Sequence, residues 1–164
     1  MTRKKKGYIF KGDRARIFKD ERYDTYLSRQ KYAEPTICTT CGALYKDGRW
    51  TWDDLPENAY EAVCPACLRI ADDYPGGYID LRGSFLAEHK DEILNLVRNV
   101  SSHEQSRHPL ERLMEITDTP ESTIIKTTGI HLARRIGGAL HDAYQGEIEY
   151  DFEAENYVRI YWSR

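Results

Sequence analysis

No apolar run in this sequence approaches the ~20 residues that a membrane-spanning helix needs. The basic start, Met1 to Lys6, is not followed by the apolar segment of a secretory signal, so the expected location is the cytoplasm. Gly76-Gly77 and Gly137-Gly138 lack the spacing of a P-loop or of a dinucleotide-binding turn. His89, His103, His108, His131 and His141 form neither a His-x-x-x-His nor a His-Glu-x-x-His pattern, and His89 reads as an ordinary helix residue. These gaps leave no catalytic constellation and no evident small-molecule substrate. The expectation is a non-enzymatic protein.

Cysteine is equally sparse, and its placement is informative. All four cysteines fall between Cys38 and Cys67, as Cys38-Thr39-Thr40-Cys41, a gap of 22 residues, and Cys64-Pro65-Ala66-Cys67. Two thiolates three positions apart on a tight turn can face one metal ion, and two such turns complete a tetrahedron. Gly42 suits the open backbone of the first knuckle, and Pro65 pre-sets φ inside the second. A closed sulfur set points to one structural Zn²⁺, because a catalytic zinc keeps an open position. Iron suits the same four sulfurs and stays open as an alternative. A thioredoxin-type dithiol needs one pair beside a βαβ unit, and two disulfides need an oxidising compartment; neither context is present.

Charge is distributed unevenly. Residues 1–34 carry a net +6, whereas the remaining residues carry −9. Lys4, Lys5 and Lys6, then Arg14 and Arg16, alternate with Tyr8, Phe10, Phe18, Tyr23 and Tyr26. Basic groups neutralise phosphates and aromatic faces stack on bases, so residues 1–35 read as a basic, aromatic-containing arm for nucleic acid. The same aromatics would also serve to dock the arm on the rest of the chain. Pro35 ends it.

Residues 36–74 form the expected four-cysteine module, a zinc ribbon or a treble clef. Short strands are expected at Arg49–Trp52 and Ala59–Val63, and a short helix after Cys67. Trp50 and Trp52 share strand parity, which places both on one face, either over the metal site or with one exposed for stacking. Pro75-Gly76-Gly77 then separates a second unit, residues 75–164.

The order in that unit reads β-α-β-β-α-β-β. A strand spans Tyr78–Arg82, a helix runs from Phe85 to about Val100, and Ser101–Pro109 is a polar connection. Strands follow at Glu111–Thr117 and Ser122–Thr127, then a helix from Gly129 or Ile130 to Tyr144 and a terminal hairpin. This order predicts an α+β, ferredoxin-like split βαβ domain whose extra C-terminal strand extends the sheet. Glu147, Glu149, Asp151 and Glu153 alternate on one strand face and read as a solvated acidic surface. On the second helix, Arg134 and Arg135 flank the apolar stripe and are candidate phosphate grips, or surface arginines paired with nearby acids. Gly137 reads as the point where that helix sits close to the sheet.

The cysteine pairs, Leu68-Arg69, Gly76-Gly77-Tyr78, and the run Thr127-Thr128-Gly129-Ile130-His131-Leu132-Ala133-Arg134-Arg135-Ile136-Gly137-Gly138 support a resemblance. Across residues 36–150 the chain resembles the zinc-binding N-terminal region of the large-ribosomal-subunit export adaptor family, in a short form. That family carries further Cys-x-x-Cys pairs, and this chain has one set, so the export role is not carried over. The resemblance implies zinc at Cys38, Cys41, Cys64 and Cys67, and contact with RNA or the large ribosomal subunit. The expected function is a zinc protein that associates with RNA or the ribosome through the arm, the module and the Arg134/Arg135 helix. The alternative is a protein-interaction adaptor in which zinc is purely structural.

Overall fold

The computed structural model describes Tyr8–Ile9, Tyr26 and residues 32–164 apart from Glu155. Among the described residues, two sheets and four helices make up a mixed α+β architecture. β1 is Tyr8–Ile9. The smaller sheet holds β2 (Thr36–Cys38), β3 (Leu44–Lys46), β4 (Arg49–Thr51) and β5 (Tyr60–Ala62) in the order β4-β3-β2-β5. Helix α1 (Pro65–Ala71) follows it. The larger sheet begins with β6 (Gly77–Arg82), which leads into α2 (Ser84–Glu88) and α3 (Lys90–Arg107). Then come β7 (Leu113–Asp118), β8 (Thr123–Thr127), α4 (Ile130–Tyr144), β9 (Glu147–Ala154) and β10 (Tyr157–Ser163).

Strict alternation drives the larger sheet. Ile79 and Leu81 of β6, Ile125 of β8, and Val158, Ile160 and Trp162 of β10 turn one way and are fully buried. Against them pack Ile93 and Val97 of α3 and Leu132, Ile136 and Leu140 of α4. Burying each such side chain contributes about 1.5–3 kcal/mol, so this core holds the sheet and both long helices together. Gly137 has the role expected of it. A Cβ there would lie 3.2–3.4 Å from Tyr150, Ile148 and Ile160, so the absent side chain lets α4 approach the sheet.

The strand order is β1-β9-β10-β6-β8-β7. β8 lies between β6 and β7 and pairs antiparallel with both. The final strand, however, does not extend the edge. β10 inserts between β9 and β6 and runs parallel to β6, with Ile160 opposite Ile79 and Trp162 opposite Leu81. The reason is burial: β10 carries Val158, Ile160 and Trp162, and a central position covers all three. The more acidic β9 takes the outer place and pairs with β1 in parallel register.

The first helical stretch also departs from expectation. It breaks at His89, whose φ of −123° is not helical and whose ring stacks on Phe85 at 4.2 Å. His89 is therefore a junction residue between α2 and α3. Beyond Val100 the helix continues through the supposed polar connection to Arg107. Its buried stripe runs from Val97 to Ser101 and Glu104, and both polar residues are satisfied: Ser101 Oγ donates to the Val97 carbonyl at 2.7 Å. Glu104 accepts from Arg135 and pairs with His131.

Candidate metal centre

The first knuckle is built at the end of β2. Gly42 N–H donates to the Cys38 carbonyl and Cys38 N–H to the Ala43 carbonyl, which folds the Cys38–Cys41 turn back on itself. Gly42 takes φ +81°, the left-handed region that glycine enters without a Cβ penalty. The second pair starts α1: Cys64 is its N-cap, Pro65 opens the first turn, and Cys67 N–H donates to Cys64 Sγ at 3.4 Å. β5 runs parallel to β2, with Cys38 opposite Ala62, and this pairing brings the two knuckles together.

The four sulfurs lie within 4.8 Å of one another, and no two are bonded. Cys38 and Cys67 are separated by 3.8 Å, and so are Cys41 and Cys64. These are opposite edges of a tetrahedron. A Zn–S length of about 2.3 Å gives a tetrahedral edge of about 3.8 Å, whereas a disulfide would bring two sulfurs to about 2 Å. The donor set therefore fits one tetrahedrally coordinated metal ion. Cys38, Cys64 and Cys67 are buried and Cys41 is half-buried, as a closed structural site requires. Among the described residues this is the one group able to hold a metal ion.

Electrostatics distinguishes the four ligands. Burial pushes the Cys64 and Cys67 thiols up. Burial acts on Cys38 in the same direction, but backbone N–H donors from Cys64, Cys41 and Thr40 outweigh it and bring that thiol down to about 6. Apolar packing closes the remaining sides through Tyr45, Trp50, Ala43 and Ala66, with Tyr32 and Leu110 against them.

One residue that sequence patterning did not single out faces the sulfurs directly. Arg112, immediately before β7, reaches across from the larger unit, and its Nη2 lies 3.2 Å from Cys41 Sγ, 3.2 Å from Cys64 Sγ and 3.3 Å from Cys67 Sγ. Burial works against its charge, yet the hydrogen bond to Cys67 and the charge of the Cys41, Cys64 and Cys67 sulfurs outweigh it and raise its pKa. The guanidinium stays positive beside the thiolates.

The two tryptophans part company. Trp50 is buried, and its ring meets Tyr32 at 5.2 Å and Tyr45 at 5.4 Å beside the cysteines. β4 ends at Thr51, so strand parity does not extend to Trp52. That ring is 39% exposed, and its Nε1 donates to the Gln105 carbonyl of α3 at 2.6 Å.

Of the candidate nucleic-acid contacts, Arg134 and Arg135 fall among the described residues. Lys4, Lys5, Lys6, Arg14 and Arg16 lie outside the described residues. Arg134 and Arg135 are both exposed on α4. Arg135 Nε is committed to Glu104 Oε1 at 3.0 Å, so Arg134 is the more available of the two. Tyr26 of the arm docks on the module. It stacks on Tyr74 at 5.5 Å, lies 4.7 Å from the Arg69 guanidinium, and donates to Asp72. On the acidic strand, Glu153 pairs with Arg159 at 2.9 Å.

Together these features define a mixed α+β protein with a four-cysteine centre positioned to bind one metal ion. No protein-family model, curated protein or solved structure matches the chain. No helix among the described residues is long and apolar enough to cross a membrane.

Proposed function

We propose that this is a non-enzymatic zinc protein whose metal is structural and which associates with RNA or the large ribosomal subunit. The observation that carries the metal half is the closed, buried set of four sulfurs on tetrahedral edges of 3.8 Å. Zinc is preferred to iron because the module uses the ion as its core, a role a redox-inert ion fills. With the second cysteine pair at the start of α1 and a β3–β4 hairpin after the first knuckle, a treble clef describes the module better than a ribbon. The larger unit reads as a ferredoxin-like split βαβ core with β10 inserted. Residues 1–35, 36–74 and 75–164 then act as arm, metal module and body.

The RNA half rests on charge: a +6 arm on a −9 remainder. The resemblance to the ribosomal export adaptor family supports the same target. The grip belongs to Lys4, Lys5, Lys6, Arg14 and Arg16, with Arg134 as an auxiliary contact on α4. The test is co-sedimentation with ribosomes and total RNA across a salt series. Neutralising those five arm residues to Gln reduces the slope of log affinity against log salt by up to about 3.5 for a single-stranded target. A slope that does not change refutes the arm as the grip.

A second reading has its own observation. Among the described residues, the large apolar side chains most exposed to solvent, Trp52, Leu55, Tyr60, Leu68, Ile70 and Tyr74, all lie in the module. They sit among Asp53, Asp54, Glu57, Glu61, Asp72 and Asp73. An acidic and apolar surface repels phosphate and suits a protein with a basic, apolar contact. Association that survives nuclease and ignores the arm substitutions favours this adaptor reading.

A further inference from the structure

Arg112 belongs to two units at once. Its backbone is part of the body: its N–H donates to Thr128 Oγ1 at 2.9 Å, and its carbonyl accepts the Thr128 N–H at 2.9 Å. Its side chain belongs to the cysteine centre. Arg112 is 8% exposed, with Nε donating to the Pro109 carbonyl at 2.8 Å and Nη2 facing Cys41, Cys64 and Cys67. The preceding residue points elsewhere. Glu111 Oε2 accepts the Leu132 N–H at 2.9 Å and so satisfies a free donor in the first turn of α4. Leu110 packs into the module's apolar cluster, and its carbonyl accepts from Thr128 Oγ1 at 2.6 Å.

Physical chemistry makes the arrangement mutual. Four thiolates around a divalent ion carry a net charge of −2, and a buried charge is costly unless it is paired. A guanidinium facing three of the sulfurs halves that charge. Conversely, Arg112 has three of its four side-chain hydrogen bonds on sulfur, and those acceptors reach full strength only as thiolates. Metal ligands are commonly held and tuned by such outer hydrogen bonds.

We propose that Arg112 is a positioning residue for the metal centre. It neutralises and orients the metal-bound thiolates, and it couples metal loading of the module to the order of Pro109–Arg112 and, through Glu111, of the start of α4. The inference rests on the reading of the four cysteines as a metal site. N–H···S donation withdraws electron density from sulfur, so the ligands become poorer nucleophiles and poorer charge donors to the ion.

The test uses the full chain loaded with Co²⁺ or Zn²⁺, as wild type, Arg112→Lys and Arg112→Gln. Loss of the donors in R112Q moves the sulfur-to-cobalt charge-transfer band to longer wavelength, with R112K between the two. Zn²⁺ affinity in competition with a chelator falls by about 10- to 100-fold in R112Q. In wild type, removing the metal speeds amide exchange at Leu132, although this residue is far in sequence from any ligand. In folded R112Q that exchange no longer responds to metal. An unchanged cobalt spectrum and affinity in R112Q would overturn the role of Arg112 while leaving the metal site standing. Wild-type protein that takes up no cobalt would overturn the metal reading itself. The wild-type exchange comparison needs no variant, so equal Leu132 protection with and without metal refutes the coupling even where R112Q does not fold.

Discussion

The module and the body solve the problem of a core in different ways. The body has strands of five to eight residues and an 18-residue helix, and it buries Trp162 and a set of aliphatic side chains between sheet and helices. The module has four three-residue strands and one seven-residue helix. Its buried cluster is made in large part of the cysteines themselves. A unit of about 40 residues seldom buries enough apolar surface to fold alone, whereas one of about 90 can. On the proposed reading a metal ion stands in for the core in one region, whereas the other builds its core from apolar side chains. The two meet at Arg112, the body's positive charge set against the module's sulfurs.

The strongest way to break this comparison is to remove the metal. Replacing Cys64 with Ser, or stripping the ion with a chelator, unfolds the module. The lost binding free energy is of the order of 10–16 kcal/mol for a structural zinc in a small module. Amide exchange resolved by region is the measurement: protection over residues 36–72 disappears, while that of Ile79, Ile125 and Ile160 remains. Loss of protection in both regions together would make the body dependent on the metal core and end the distinction. The converse experiment is Trp162→Ala. Its side chain is buried and its Nε1 donates to the Gln145 carbonyl at 2.8 Å. The cost is about 3–5 kcal/mol in denaturant unfolding, with the Zn²⁺ affinity of the still-folded fraction unchanged.

The contrast also explains what could be read from the sequence. The metal centre was legible because four cysteines in two pairs have few other uses, and the spacing alone anticipates Gly42 and the Cys64–Cys67 turn. The body's element order was legible from alternation in β6, β8 and β10. Strand order was not, because Val158, Ile160 and Trp162 fit an outer or a central strand until the relative apolarity of β9 and β10 is weighed. The end of α3 was hidden for a related reason. Ser101 and Glu104 continue the stripe set by Ile93 and Val97, but their polarity reads as a loop until their partners, Val97 O, His131 and Arg135, are seen. β2 and β3 are too short for any periodicity. Arg112 offered only a faint signal. It shares strand parity with Met114 and Ile116, an apolar face on which a lone arginine is out of place.

A smaller effect sharpens the comparison on the body's side and depends on pH. Glu104 is buried between α3 and α4. Burial would push its carboxyl up, but the hydrogen bond from Arg135 and the charge of His131 outweigh it, so its pKa lies below the usual carboxylate range. A depressed carboxylate adds stability above the unfolded value of about 4.3 and loses it as pH falls through the lower, folded value. Glu104→Gln is expected to cost about 1–3 kcal/mol near neutral pH, and the difference from wild type should shrink as pH drops below 4.3. Denaturant unfolding at a series of pH values measures this. The cobalt spectrum should be unaffected, because Glu104 is outside the set of groups that touch the sulfurs. A constant difference across that range would mean that Glu104 acts through packing rather than charge.

The smallest expected effect lies on the seam between the regions. Trp52 Nε1 donates to the Gln105 carbonyl in the last turn of α3. Trp52→Phe keeps most of the ring and removes that one donor. A single exposed hydrogen bond contributes about 0.5–1.5 kcal/mol, and a ring already 39% in solvent gives little additional loss. The expected result is a small change in global stability with faster amide exchange confined to the last turn of α3. Arg112→Gln, which breaks another bridge between the regions, is expected to be larger because it leaves charged sulfurs uncompensated. If W52F proves as damaging as R112Q, the seam is held by side-chain docking, and the electrostatic link through the metal centre is secondary.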